Sequence, residues 1–478
     1  MVHYKKLLDG LEAKEIKLSD LLNENPEARI DSEYVLKQYL EYDALISNQP
    51  FKKINDIAFV TDGIHSSIDF DEDSNINLIS AKAPKKNVFN LSGTGYISYE
   101  QNRLNPRTQL KENDIIISTV GTIGNCAVVD ESILPANSDR HVGIVRLENT
   151  DYKPRYISTF LLSKYGRFQT KRHTTGNVQP NLFIYKIKEL KIPYISESFQ
   201  QKIEDMVVEA NALLLESKEA YDTIKKIFMK NVSFDSYVEP KEVCSIKSFS
   251  EAFGKSGRLD AEYYQEKFDV LFERLDKYNT KRLVDIVNIS KSIEPGSDYY
   301  SDEGIPFIRV SDLSKYGVSE PAIHLLKGTD NLLGIPYPKK DTILLSKDGS
   351  VGIAYKLEKD ADFVTSGALL HLTLKKDADV LPDYLTLVLN SKIVQMQAER
   401  DAGGSIIQHW KPSEIENVVI PIIDMKMQEK IAQQIQLSFS LRTQADRMLS
   451  DAVRAVEIAV ESGEKAALNF LVDLQEIL

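Results

Sequence analysis

Apolar residues along this chain fall into two textures. Between residues 51 and 193 they come in short runs, such as 115–117, 127–129 and 142–145, separated by Gly, Asn, Asp and Pro. Runs of that length bounded by turn residues predict many short strands. The same texture covers 280–421, with apolar runs at 343–345, 352–355 and 369–374. Helical stretches interrupt it at 154–168 and 382–400. Each segment is therefore expected to fold as an α+β module of roughly 140 residues.

The second texture follows each module. Apolar or small residues run Phe199, Ile203, Met206, Ala210, Leu213, Ser217, Ala220, Ile224 and Ile227. Alternating steps of three and four are the seam of a coiled coil. Met427, Ile431, Leu441, Ala445, Met448, Ala452, Ala455 and Ala459 keep that register near the end of the chain. Ile203, Leu213, Ile224, Ile431, Leu441 and Met448 are accordingly the expected interhelical or partner-docking positions. Ser196 and Asp424, at equivalent places, are both good N-cap types. About 30 residues without Pro or Gly would span roughly 45 Å, more than is needed to cover one module.

The chain is written twice. Arg29-Ile30-Asp31-Ser32-Glu33-Tyr34 recurs as Arg258-Leu259-Asp260-Ala261-Glu262-Tyr263, and Lys52 to Ile57 recurs as Lys281 to Ile286, both at an offset of 229. Ile115-Ile116-Ile117-Ser118 with Gly121 and Gly124 matches Ile343-Leu344-Leu345-Ser346 with Gly349 and Gly352, at 228. Ile192-Pro193 followed by Gln200 matches Ile420-Pro421 followed by Gln428, again at 228. Ordered matches at a near-constant offset establish an internal duplication.

Composition constrains the rest. With 42% hydrophobic and 27% charged residues over 478 positions, the chain has ordinary globular composition and is long enough for two or more domains. No apolar run is long enough for a membrane span, and the N-terminus lacks the apolar core of a signal peptide, so a cytoplasmic location is expected. Cys126 and Cys244 have no ligand-like neighbours and read as packing residues. A net charge of −12 argues against a simple phosphate binder. The distribution changes that picture. Residues 51–193 hold 19 basic and 15 acidic residues, residues 280–421 hold 16 and 20, and the remainder hold 24 and 36. The deficit thus lies in the connecting parts, and partners could supply much of the phosphate clamping.

Two modules, each followed by a long helix, in head-to-tail duplication resemble the specificity (S) subunit of type I restriction-modification systems over essentially the whole chain. The run Asp341-Thr342-Ile343-Leu344-Leu345-Ser346-Lys347-Asp348-Gly349-Ser350-Val351-Gly352 is similar to that family's strand–loop–strand signature, and 114–124 is a shorter copy. The resemblance implies two target recognition domains joined by two long antiparallel coiled-coil helices. It implies an N-terminal helical segment (1–50), a first recognition domain (51–195), a central helical spacer (196–232) and a connector repeating the N-terminal segment (233–279). A second recognition domain (280–422) and a C-terminal long helix with its tail (423–478) complete the order. The implied partners are double-stranded DNA carrying a bipartite, asymmetric site, two methyltransferase subunits and a restriction (motor nuclease) subunit. S-adenosylmethionine, ATP and Mg would then belong to those partners, and this chain would hold no cofactor or metal.

The residues agree with a non-catalytic role. No Pro-Pro dipeptide of an amino-methyltransferase loop and no phosphate-cradling Gly-x4-Gly-Lys-Ser/Thr occurs. Glu12-Ala13-Lys14 and Glu189-Leu190-Lys191 lack the Pro-Asp pair of a nuclease centre, and the seven histidines show no metal-ligand spacing. The paired glycines read as turn residues. Candidate DNA contacts are Thr119 and Lys347 within those turns, the donor-rich stretch with Lys171, Arg172, His173 and Asn177, and its counterpart with Gln408, His409, Trp410 and Lys411. Lys82, Lys85 and Lys86 are candidate phosphate contacts. Two other readings fit the same features: a recognition subunit of a related DNA-modification system without the motor, and a scaffold binding proteins rather than DNA.

Overall fold

The computed structural model describes residues 15–22, 25, 27–31, 34–176, 180–240, 246–404 and 408–477, in two units: 1–214 with 443–478, and 215–442. Each unit is built on a four-stranded antiparallel sheet of the same topology. In the first unit the spatial order is Ala58–Asp62, Val142–Leu147, Ile115–Ser118 and Cys126–Val128. In the second it is Val287–Lys291, Leu369–Leu374, Ile343–Ser346 and Ala354–Lys356. The registers also correspond: Ile117 lies opposite Gly143 and Cys126, and Leu345 opposite Leu370 and Ala354. A two-stranded ladder closes each module, Phe51–Lys53 with Lys191–Pro193 and Thr280–Arg282 with Val419–Pro421.

The run of three isoleucines at 115–117 is buried throughout because both faces of its sheet are covered. Ile115 and Ile117 face the helices Pro154–Leu162 and Lys164–His173, whereas Ile116 joins Val142 and Ile144 in a second, smaller core. Strands covered on both sides lose the polar alternation of half-exposed ones. Leu344 and Leu369 repeat this division in the second unit. Three short strands (Ile76–Ile79, Tyr96–Ile97 and Ala136–Ser138) lie behind the first sheet, and Ile305–Ile308 anchors the counterpart.

The helical stretches expected at 154–168 and 382–400 are each two helices. Ser163 ends the first helix and its Oγ accepts the Gly166 N–H at 3.4 Å, capping the second. A Cβ on Gly166 would stand 2.3 Å from Leu161 Cα, so only glycine permits this crossing. Pro382–Leu389 and Lys392–Asp401 repeat the break.

The long helices are Glu197–Asn231 and Met425–Ser462, the latter followed across Gly463 by Glu464–Ile477. Ser196 and Asp424 cap them, accepting from the N–H groups of Phe199 (3.2 Å) and Met427 (3.1 Å). In the first unit Phe199, Ile203, Val207 and Ala210 share a core with Ala445, Leu449, Ala452 and Val456. There Ser196, before the first long helix, meets Glu464 beyond the end of the second (N–H to carboxylate, 3.4 Å), so the segments run antiparallel. In the second unit Tyr221, Ile224 and Phe228 share a core with Ile431, Ile435 and Phe439. The hydroxyls of Ser217 and Ser438 lie 3.0 Å apart beside it.

This seam corrects the expected register in part. Ile203, Ile224 and Ile431 are fully buried, and Leu213 and Met448 pack at the margin of the first unit's core. Val207, Tyr221 and Phe228, however, are buried one residue later than read from the sequence, and Leu214 packs alongside Leu213. Leu441 belongs to none of the packed clusters of described residues; its neighbour Arg442 faces inward instead, with its guanidinium 4.1 Å from the ring centre of Tyr316.

Candidate nucleic-acid interface

The paired glycines build the same turn in both units. Gly121 and Gly124 take φ of 67° and 77°, and Gly349 and Gly352 take 73° and 82°, the left-handed region that favours glycine. Gly124 N–H closes the turn on the Ser118 carbonyl at 3.0 Å, as Gly352 does on Ser346 at 2.9 Å. The last glycine also meets a helix. A Cβ on Gly124 would stand 2.7 Å from the Thr170 hydroxyl, and one on Gly352 would stand 2.8 Å from the Gln395 amide.

A second loop pairs with that turn. In the first unit Asn181 exchanges two backbone hydrogen bonds with Thr175 (2.8 and 3.1 Å), and Leu182 N–H donates to the Thr119 carbonyl at 2.9 Å. In the second, His409 exchanges two with Gly403 (2.7 and 3.1 Å), and Trp410 N–H donates to the Lys347 carbonyl at 2.8 Å. An Arg-x-Asp clamp ties each loop to its module. Arg29 Nη1 donates to the carbonyls of Arg172 (2.9 Å) and Thr174 (3.2 Å) while its Nε pairs with Asp31 at 2.9 Å. Arg258 Nη1 donates to the Asp401 carbonyl at 2.8 Å and Nη2 pairs with Asp260 at 2.6 Å. The clamp was missed in the sequence, although the repeated Arg-x-Asp was its signal.

The structure sorts the candidate contacts. Lys171 is exposed and lines a cleft of about 1030 Å³ with Arg29, Arg167, Thr174 and Thr175. Lys82 is exposed beside the turn, since the Ala81 carbonyl accepts from the hydroxyls of Ser118 (2.6 Å) and Thr122 (3.2 Å). Lys85 and Lys86 are exposed on a hairpin farther along, held through Asn87, whose amide donates to the Thr159 hydroxyl at 2.9 Å. Gln408, His409 and Lys411 are exposed on the second unit's loop. Asn177 lies outside the described residues, as does Cys244.

Five expectations are corrected. Trp410 is 1% exposed and fills the second unit's core, because the loop turns inward at that point. Thr119 is buried between the two backbone segments it joins. Arg172 is spent on structure: its Nε donates to the Tyr34 carbonyl at 2.9 Å and its guanidinium lies 4.3 Å from the centre of that ring. His173 turns inward beside Tyr34, and burial, with help from the Lys186 and Arg172 charges, pushes its pKa down to about 3. Lys347 is largely covered and ion-paired with Asp348. Among the described residues no cluster of His, Cys, Asp or Glu could hold a metal, and no helix is long and apolar enough to cross a membrane.

Sequence comparison places the type I restriction modification DNA specificity domain at residues 48–219 and again at 276–440. No curated protein matches the chain. Among solved structures, the type I restriction-modification S subunit from M. genitalium is similar at 14% identity, covering 88% of this chain and 96% of its own, with a TM-score of 0.41. The HsdS subunit from Thermoanaerobacter tengcongensis is similar at 14% identity, covering 87% and 97%, with a TM-score of 0.28. The two domain matches cover most of the sequence and fall on the two modules with repeated topology, so this chain belongs to the type I restriction-modification DNA specificity family and is a DNA sequence-recognition subunit.

Proposed function

We propose that each module reads one half of a bipartite, asymmetric DNA site, using the glycine turn and the loop paired with it. One observation carries this reading: a backbone platform with the same turn and the same loop pairing in both units holds unlike side chains. Thr119, Val120, Thr175 and Asn181 in the first unit correspond to Lys347, Asp348, Gly403 and His409 in the second. Equal scaffolds with unequal side chains hold two readers in related poses while they prefer different bases. Lys82, Lys85, Lys86, Lys171 and Lys411 would contact phosphates, and Gln408 and His409 base edges. Neither half is strongly basic, so tethering two weak readers would supply affinity through effective concentration.

In this reading the chain itself does no chemistry. Two methyltransferase subunits and a restriction subunit dock on it and carry S-adenosylmethionine, ATP and Mg. Selection of binding sites from a random duplex library, with the full chain and its modification subunits, tests the proposal. Two defined blocks separated by unspecified base pairs are expected. One continuous or palindromic block would overturn it.

A further inference from the structure

Each glycine turn has beside it an exposed histidine held by an aspartate, and the two modules supply it from different places in the chain. In the second module His409 is 63% exposed at its side chain, and its Nδ1 lies 2.8 Å from the Asp348 carboxylate, which belongs to the turn itself. In the first module the position equivalent to His409 is Asn181, which has no imidazole. There His141 takes over. Its carbonyl accepts the Thr119 N–H at 3.1 Å, the bond that Lys347 makes to Ala368 in the second module at 3.0 Å. The His141 side chain is 42% exposed, its Nδ1 lies 3.1 Å from Asp139, and the same carboxylate accepts the His141 backbone N–H at 2.8 Å.

Both rings carry a carboxylate at Nδ1, hydrogen-bonded in His409 and at ion-pair distance in His141. A carboxylate at Nδ1 favours the proton on that nitrogen, which leaves Nε2 of a partly exposed ring for another partner. The neutral ring then presents Nε2 as an acceptor, matching the amino groups of adenine or cytosine. The protonated ring presents a donor, matching guanine N7 or O6. Burial works against ionisation of Asp348, but the Lys347 ammonium and the His409 ring outweigh it and hold its carboxyl below the usual carboxylate range. The backbone beneath is equally constrained. His409 exchanges both of its backbone bonds with Gly403, and the Gln408 carbonyl accepts from Gly349 at 2.9 Å. Reading a base edge needs a polar atom at the surface whose direction is set before binding.

We infer that His141 in the first module and His409 in the second are specificity-determining residues that each read a base edge through Nε2, with Asp139 and Asp348 as their positioning residues. The inference rests on the half-site reading above and adds His141, the reading atom and the aspartates that position both rings.

The test uses the full chain with its modification subunits and the same random duplex library, comparing wild type with His141→Ala, His409→Ala, His409→Gln and Asp348→Asn. Melting curves verify that these surface variants fold. His409→Ala should relax preference at one position of one half-site about 5- to 10-fold, the lower part of the range for a lost base contact, and leave the other half unchanged. His141→Ala should do the converse. Asp348→Asn should weaken preference at the His409 position while leaving the salt dependence of binding unaltered, which a merely structural role would not do selectively. His409→Gln should shift the preferred base rather than abolish preference. A wild-type chain selecting no bipartite motif would overturn the half-site reading and this inference with it. A bipartite motif that all the histidine variants select unchanged would overturn this inference alone. A uniform loss across all sequences with a shallower salt slope would also overturn it, because that is the signature of a phosphate contact.

Discussion

Trp410 is the only tryptophan in the chain, and its burial makes a sharp prediction. It sits where the second unit's loop turns into the core, next to His409, and its backbone N–H holds the loop to Lys347. Truncation by Trp410→Ala removes the contacts of a side chain that buries roughly 200 Å². At about 25 cal/mol per Å² that is about 5 kcal/mol, at the upper end of the roughly 3–5 kcal/mol seen for such truncations. Among the described residues its buried indole Nε1 has no hydrogen-bond partner, a cost to the native state. Trp410→Phe removes that orphan donor along with some volume, so it should cost less, below about 2 kcal/mol. Urea unfolding followed by far-ultraviolet circular dichroism would give both values. Wild-type fluorescence supplies an independent reading, since every photon of tryptophan emission comes from this site and should carry the blue shift of an enclosed indole. The packing argument would be refuted if Trp410→Ala unfolded at the wild-type urea midpoint, or if the emission were that of a solvated indole.

The seam register predicts that Ile431→Asp, which buries an unpaired charge, loses several kcal/mol, whereas Leu441→Asp farther along the same helix costs less than about 1 kcal/mol. Equal losses in thermal melts would return the seam to the register with Leu441 inside. His371 is buried against Thr365 (Nε2 to Oγ1, 2.8 Å), and burial pushes its pKa down from 6.5 to about 4. Because the unfolded chain takes the proton first, its stabilising effect is complete above pH 6.5 and is lost as pH falls toward 4, by about 3 kcal/mol. His371→Gln should flatten that part of the stability profile, and a profile as steep as wild type would contradict the assignment.

Much of the architecture is legible in the sequence because duplication and periodicity are properties of the chain itself. Burial is not. Met206 and Val207, Leu213 and Leu214, Ala220 and Tyr221, and Ile227 and Phe228 are adjacent apolar pairs, so periodicity fits either member. Packing buries Val207, Tyr221 and Phe228 rather than their neighbours and shares the remaining place between Leu213 and Leu214, and Arg442 occupies a seam place that no apolar pattern would assign. The break at Ser163 escapes notice because serine is tolerated inside helices as well as at their caps. At the site, the rich donor content of 171–177 and 403–411 correctly marks two loops that meet the glycine turns. Composition does not tell an outward lysine such as Lys171 from an arginine such as Arg172, whose guanidinium is consumed by Tyr34. His141 lies outside both donor-rich stretches, and only the strand pairing brings it beside Thr119.

The central claim is that two modules read DNA independently. Replacing residues 51–193 with the equivalent module of a relative, and sequencing the methylome of a host that carries the chimera with its modification subunits, tests this claim most directly. One half of the methylated motif should change and the other half stay intact. A swap that changed both halves together, or neither, would contradict it.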